Sequence, residues 1–168
     1  MDQADYYASL PRKIVAACAL FRDQTGRFLL VKPTYKSGWD LPGGNVDADE
    51  SPLEGCVREV REELGLEVSG LRLLCVDFRR ALEGKPELLV FVFDGGILED
   101  AAIQRIRIPP AELAAFRFVE LGEIEQLMAA HTARRAVCAA GLLTEDSAAY
   151  LEDGRAPVRA ARWTPHPA

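Results

Sequence analysis

The chain has 168 residues, 49% of them hydrophobic and 27% charged, with a formal charge of −6. That length suits one ordinary domain rather than two, and the composition calls for a packed core, which excludes wholesale disorder. The negative charge disfavours non-specific attraction to nucleic-acid polymers and anionic membranes, and no apolar run approaches the ~18 residues of a membrane span.

Residues 1–12 read as an arm outside the domain, with Tyr6 and Tyr7 available to pack back on it or to meet a second copy. A homodimer is therefore left open. The arm lacks the charged start and apolar segment of a secretory signal, and the four cysteines are far apart, with no CxxC or short Cys/His spacing. Buried reduced thiols and a cytoplasmic location are the expectation. Ile14–Phe21 (IVAACALF) predicts a buried strand, Asp23–Gly26 a turn, and Phe28–Val31 its antiparallel hairpin partner. Lys32, at the end of that strand, is a candidate contact for a substrate phosphate, against the plainer reading of a solubilising strand-end residue. The loop Pro33–Gly38 exposes Tyr35 and Lys36, and Tyr35 is a candidate to touch substrate by stacking on a base. Trp39 and Leu41 alternate around Asp40 as a short inward-facing strand. Gly43 and Gly44 then put flexible backbone where a ligand can approach closely.

The next stretch, GGNVDADESPLEGCVREVREELGL from Gly43 to Leu66, organises the rest. Ser51 and Glu54 have the spacing of a capping box, Pro52 suits the first helical position, and Gly65 suits the residue just past the end. The spacing predicts a helix of about 13 residues, with Leu53, Cys56, Val57, Val60 and Leu64 as its apolar stripe. Glu59 and Glu63 then stack one turn apart on a flank of that stripe, with Glu62 further towards solvent. Like charges at this spacing cost a few tenths of a kcal/mol on an exposed helix, a cost that a hard divalent cation removes. A solvated acidic face is the plainer alternative. Charge is nevertheless concentrated here: residues 44–66 carry seven acids against two arginines, whereas residues 1–43 carry six Lys/Arg against four Asp/Glu. Arg58 sits beside Glu59 and four residues before Glu62, so it can pair with either.

Gly44, Glu50, Arg58, Glu59, Val60, Glu62, Glu63, Gly65 and Leu66 fit the pattern G-x5-E-x7-R-E-U-x-E-E-x-G-U, with U aliphatic, at every defined position. In this the chain resembles the Nudix hydrolases, and the supporting order of strands and loops runs from about Ile14 to Ala140. The resemblance implies an α/β fold, an α/β/α sandwich with a mixed β-sheet. It also implies hydrolysis of a nucleoside diphosphate linked to another group, X, with Mg²⁺ or Mn²⁺. It carries Glu59 and Glu63 over as metal ligands and Glu62 as a further ligand or the group that orients water. Glu50 would assist the metal network, Arg58 would orient Glu59, and Gly44, beside Gly43, would shape the loop. Asp49 departs from the glycine many members carry before the first glutamate, which restricts the loop slightly.

Downstream, Val68–Phe78 is apolar and strand-like, with Asp77 a break in character. Arg79–Pro86 is a turn-rich connection whose Arg79, Arg80 and Lys85 lie on a candidate substrate rim; arginine suits phosphate oxygens, though such residues are as readily just solvated. Leu88–Asp94 predicts a central strand that Gly95-Gly96 turn. ELAAFRFVEL resembles the family's last loop and strand, where an extra glutamate before the aromatic helps bind metal or acts as base; Glu112 is the candidate, with Glu99, Asp100 and Glu120 as alternatives. Glu123–Ala140 predicts a second amphipathic helix, packed through Ile124, Leu127, Met128 and Val137 and ended by Gly141. His131 has no metal-ligand spacing and reads as a surface or core histidine. Tyr150–Arg155 is a short strand or turn. The domain is thus expected over 13–156, with 157–168 a flexible, proline-containing tail that holds His166.

The implied substrate is a small nucleotide, foremost a nucleoside triphosphate. The proline that marks ADP-ribose-specific members is Ala81 here, and a nucleotide sugar stays open. A non-catalytic nucleotide-binding or regulatory domain is the rival class, but such domains lose a box glutamate and this chain keeps all of them. An isopentenyl-diphosphate isomerase shares the fold but needs a cysteine motif not found here. Activity is expected to rise above neutral pH, because metal binding and water activation both need deprotonated groups.

Overall fold

The computed structural model describes residues 2–82 and 84–157. In chain order it runs α1 (Gln3–Ser9), β1 (Ile14–Asp23), β2 (Phe28–Pro33), β3 (Gly43–Asn45), α2 (Pro52–Leu64), β4 (Arg72–Arg79), β5 (Leu88–Leu98), α3 (Asp100–Ile103), β6 (Leu113–Val119), α4 (Leu121–Leu127), α5 (Ala130–Gly141) and β7 (Ala149–Glu152). One seven-stranded sheet takes the order β6-β2-β1-β5-β4-β7, with β3 also on β1. It is mixed: β1·β5 and β4·β7 are parallel, and the remaining pairs antiparallel.

Two-residue alternation along the strands builds two cores, one on each face of the sheet. Along β1, Cys18 and Leu20 face one core, while Ala17, Ala19 and Phe21 face the other; Val90 and Val92 of β5 divide from Phe91 and Phe93 in the same way. The first core is closed by Ile124, Met128, Ala133, Ala136 and Ala139 of the C-terminal helical segment. The second is closed by Cys56, Val60 and Leu64 of α2. This is the α/β/α sandwich with a mixed sheet expected from the sequence. No helix among the described residues is long and apolar enough to cross a membrane.

Several expectations change. The N-terminal arm carries α1, capped by Asp2, with no buried residue and with Tyr6 and Tyr7 exposed, their rings edge to face. Gly95-Gly96 do not turn β5, which runs on to Leu98. Leu20 pairs with Asp94 and Phe21 with Gly96, so Gly95 is bulged out of the ladder, and a Cβ there would lie 2.5 Å from the Phe21 ring. The predicted 123–140 helix is two helices. Leu127 O accepts from Trp39 N (2.9 Å) and Met128 takes extended angles, because Trp39 claims this point of the chain as a bridge partner. Gly141 lies within the last turn of α5, not beyond it. Leu53 is exposed rather than part of the buried stripe, and Cys138 is only half-buried whereas Cys18, Cys56 and Cys75 are buried; all four are free. Asp77, the break in the apolar character of this stretch, lies within β4 and is wholly buried. Tyr150 does lie in a short strand, β7. The expected flexible tail and its His166 lie outside the described residues, apart from Pro157.

Candidate active site

Helix α2 starts where its side chains say it should. Ser51 Oγ accepts from Glu54 N (3.2 Å), and Glu54 Oε2 accepts in turn from Ser51 N (2.7 Å), while Pro52 opens the helix. Gly65, at φ +68°, closes it by donating to Arg61 O (2.9 Å). Burial of Cys56, Val60 and Leu64 on the sheet then fixes the rotation of the helix, and with it the direction of its carboxylates.

The glycines meet those carboxylates. Gly43 pairs with Cys18 and Gly44 with Ala17, seating β3 along β1. Gly43 N donates to Glu63 Oε2 (2.7 Å). A Cβ on Gly43 would fall 2.3 Å from Ala17 O, which leaves no room for a side chain, and one on Gly44 2.4 Å from Glu59 Oε1, which would have to move. Asp49, where the family pattern has glycine, is in the left-handed region at φ +65°.

Arg58 gathers most of the acids. Its guanidinium donates to both oxygens of Glu50 (2.7 and 3.1 Å), to Glu59 Oε1 (2.9 Å), to Glu62 Oε2 (3.0 Å) and to Asn45 O (2.9 Å). Those bonds hold the Glu50 carboxyl below its ordinary range. Burial pushes Glu63 up to about 7, with Glu59, Asp40 and Glu112 adding like-charge repulsion against the lowering effect of Gly43 N. Burial likewise raises Glu59, in spite of Arg58, with Glu62 and Glu112 adding to the rise. Glu112 lies just before β6, far away in sequence, and makes no hydrogen bond to Glu59 or Glu63 through its side chain. Asp40, paired with Lys36 Nζ (2.6 Å), is a further charge at the site that sequence reasoning treated only as strand filling.

The donor set fits a hard divalent cation: oxygen ligands only, on one helix and the loop before it, with two carboxyls, Glu59 and Glu63, that burial raises above their ordinary range. The four glutamates do not converge as one cluster, however. Glu50, Glu59 and Glu62 close on Arg58, whereas Glu63 turns to Gly43, and among the described residues no group of three or more metal-type donors is assembled. A guanidinium neutralises the acids in the geometry seen here.

Beside this lies a cavity of about 250 Å³ whose lining includes Gly43, Gly44, Asn45, Tyr35, Lys36 and Asp40 together with Arg79, His131, Thr132 and Arg135. Tyr35, Gly43, Gly44 and Arg79, all candidates from the sequence, meet here. Lys32 does not line it; its ammonium lies over the Trp39 ring, 5.9 Å from the centroid. Arg80 is turned away to Glu152 (2.7 Å). Arg135 was missed. Asp77 Oδ2 accepts from Arg135 Nε (2.7 Å) and Asp77 Oδ1 from Gly154 N (2.8 Å), a buried pair that ties α5 to β4. The only sequence signal was Asp77 itself, an acid inside an otherwise apolar strand.

A family model for the NUDIX domain matches residues 11–140. Among curated proteins, mRNA-decapping enzyme subunit 2 of Saccharomyces cerevisiae (strain YJM789) is 34% identical over 64 residues, which are 38% of this chain and 6% of that protein. The match to the MutT-like protein of Streptomyces ambofaciens is 35% identical over 68 residues, 40% of this chain and 44% of that protein. The chain therefore spans less than two-thirds of the length of these curated relatives. Among solved structures, a MutT protein from Methanosarcina mazei Go1 is similar at 30% identity and TM-score 0.59, covering 71% of this chain and 86% of that one.

Proposed function

The chain belongs to the NUDIX domain family, and on that premise we propose that it is a divalent-metal-dependent pyrophosphohydrolase. Its substrate is a nucleoside diphosphate linked to a group X, foremost a nucleoside triphosphate, which it cleaves to the monophosphate and pyrophosphate. The observation that carries this reading is the close seating of Gly43 and Gly44 against Glu63 and Glu59, which sets a row of carboxylates beside a cavity wide enough for a diphosphate.

Glu59 and Glu63 would hold Mg²⁺ or Mn²⁺, with Glu62 and Glu50 completing the acidic set. The ion supplies neutralisation of charge on the phosphorus oxygens and a more acidic water. Arg58, which donates to Glu50, Glu59 and Glu62, would position Glu59. Arg79 and Arg135 line the same cavity, where planar guanidinium donors match phosphate oxygens. Tyr35, exposed at the rim, offers a ring to the base. A carboxylate, Glu112 or Glu62, takes the proton of the attacking water; Glu112 is favoured because Glu62 is tied to Arg58.

The test is a panel of nucleoside triphosphates, dinucleotides and nucleotide sugars with Mg²⁺ and Mn²⁺, with products separated by chromatography. Metal-dependent release of monophosphate and pyrophosphate from a triphosphate is the expected result. Binding of nucleotides with no cleavage under any condition would instead identify a binding module.

A further inference from the structure

Arg79 and His131 also line a larger cavity of about 760 Å³, bounded further by Arg134, Lys85 and Arg155. The smaller cavity, at about 250 Å³, lies below the roughly 300–1,000 Å³ usual for small-molecule sites, so it holds the diphosphate but not a whole nucleotide with its X group. The larger one shares Arg79 and His131 with it and supplies the missing room.

The described residues that line the larger cavity carry five Lys/Arg against two Asp/Glu. Among the described residues, the acids Glu152 and Asp153 on its rim are both paired with Arg80, whereas Arg79, Lys85, Arg134 and Arg155 have no carboxylate partner. Arg134 spends its donors on the Asp153 carbonyl (2.9 and 3.2 Å), which leaves its charge uncompensated. Arg79 gives one N–H to Pro86 O (3.2 Å), and its Nε is buried without a hydrogen-bond partner. The first residues of α5, Ala130 and His131, reach the same cavity, and no side chain caps that helix end, so its positive pole faces the space as well. His131 registers this field: burial, and then Arg135, Arg79 and Arg134, hold its imidazole below the ordinary histidine range.

We propose that this cavity is an anion subsite that receives the X group of the substrate, so that the protein prefers an X carrying its own negative charge, such as phosphate or polyphosphate, over a neutral sugar. The proposal rests on the pyrophosphohydrolase reading for the identity of X, but not for the existence of the subsite. Inorganic phosphate is the probe for the latter. Titrated into the protein at constant pH without metal, it should shift the His131 imidazole and Arg134 Nε–H NMR signals saturably. In Lys85→Gln/Arg134→Gln the apparent affinity should drop about tenfold, the scale of one or two lost charge-assisted hydrogen bonds. Should loss of the Arg134–Asp153 contact disturb folding, Lys85→Gln alone, at an exposed position, should weaken the phosphate response about threefold or more. Unsaturable shifts, or the same affinity in the variants, overturn the subsite. The second readout is the ratio of kcat/KM for a triphosphate to that for the diphosphate-sugar of the same base, which should fall at least fivefold in the variant. An equal fall for both substrates overturns the assignment to X. Absence of any cleavage would sink the hydrolase reading alone, leaving the phosphate titration to judge the subsite.

Discussion

Glu63 combines burial with a single backbone donor, Gly43 N, and this makes it the most exacting residue of the site. Glu63→Gln keeps size and the acceptor for Gly43 but removes the charge. We expect a loss of roughly 10²-fold or more in kcat with an unchanged melting temperature, because a charge-stabilising ligand goes while the packing stays. Gly44→Ala makes the complementary case. Its Cβ would collide with the Glu59 carboxylate, the end of a flexible side chain, so Glu59 should swing away and activity fall by roughly tenfold or more at little cost in stability. Steady-state kinetics paired with thermal melts checks both. Asp23 contributes stability that depends on pH in the acid range. Burial alone would raise its carboxyl, but hydrogen bonds from Thr25 and Arg27 outweigh burial and bring it down to about 2. A depressed folded-state value contributes stability above the unfolded value, near 4, that is lost as pH falls through 2. Asp23→Ala should therefore cost about 2 kcal/mol at pH 7, with a penalty that shrinks towards pH 2 in denaturant titrations.

At the scale of elements, α2 was legible in the sequence because its signals are local. Ser51, Glu54, Pro52 and Gly65 fix its ends, and the spacing of Cys56, Val60 and Leu64 fixes its buried face. The failures share a different cause. Nothing near Gly95-Gly96 in sequence reveals that Phe21 fills the space a side chain would need, so a pair of glycines that reads as a turn is a bulge. Nothing near Met128 reveals that Trp39, almost ninety residues earlier, takes the Leu127 carbonyl and splits the helix. Arg135 joins the site only because Asp77 on β4 holds it. Removing one partner of that buried pair should be costly: Asp77→Ala or Arg135→Ala alone should destabilise by about 3–5 kcal/mol, since the remaining charge is left uncompensated, whereas the double replacement Asp77→Leu/Arg135→Met should cost much less. Chemical denaturation of the three variants measures this, and equal destabilisation by all three would show that the pair does not act as a pair.

For the whole molecule, the sheet brings together what the sequence keeps apart. β1 lies beside β5 in the middle of the sheet and carries β3 along its other edge, so the glycines end beside α2 while the start of α5 and the end of β4 reach the same cavity as the glycines. The motif between Gly44 and Leu66 announced the acidic side of the site; the basic side is assembled from Arg79, His131, Arg134 and Arg135, and no spacing rule connects the first of these to the other three. The central claim is that Glu59 and Glu63 gather a divalent ion against the diphosphate. It is tested most directly by titrating Mn²⁺ into the protein, following free ion by electron paramagnetic resonance, and assaying cleavage in the same samples. We expect wild type to bind the ion and cleave a nucleoside triphosphate, and Glu59→Gln/Glu63→Gln to lose both while remaining folded. A folded double variant that binds Mn²⁺ and turns over substrate as wild type does would contradict it.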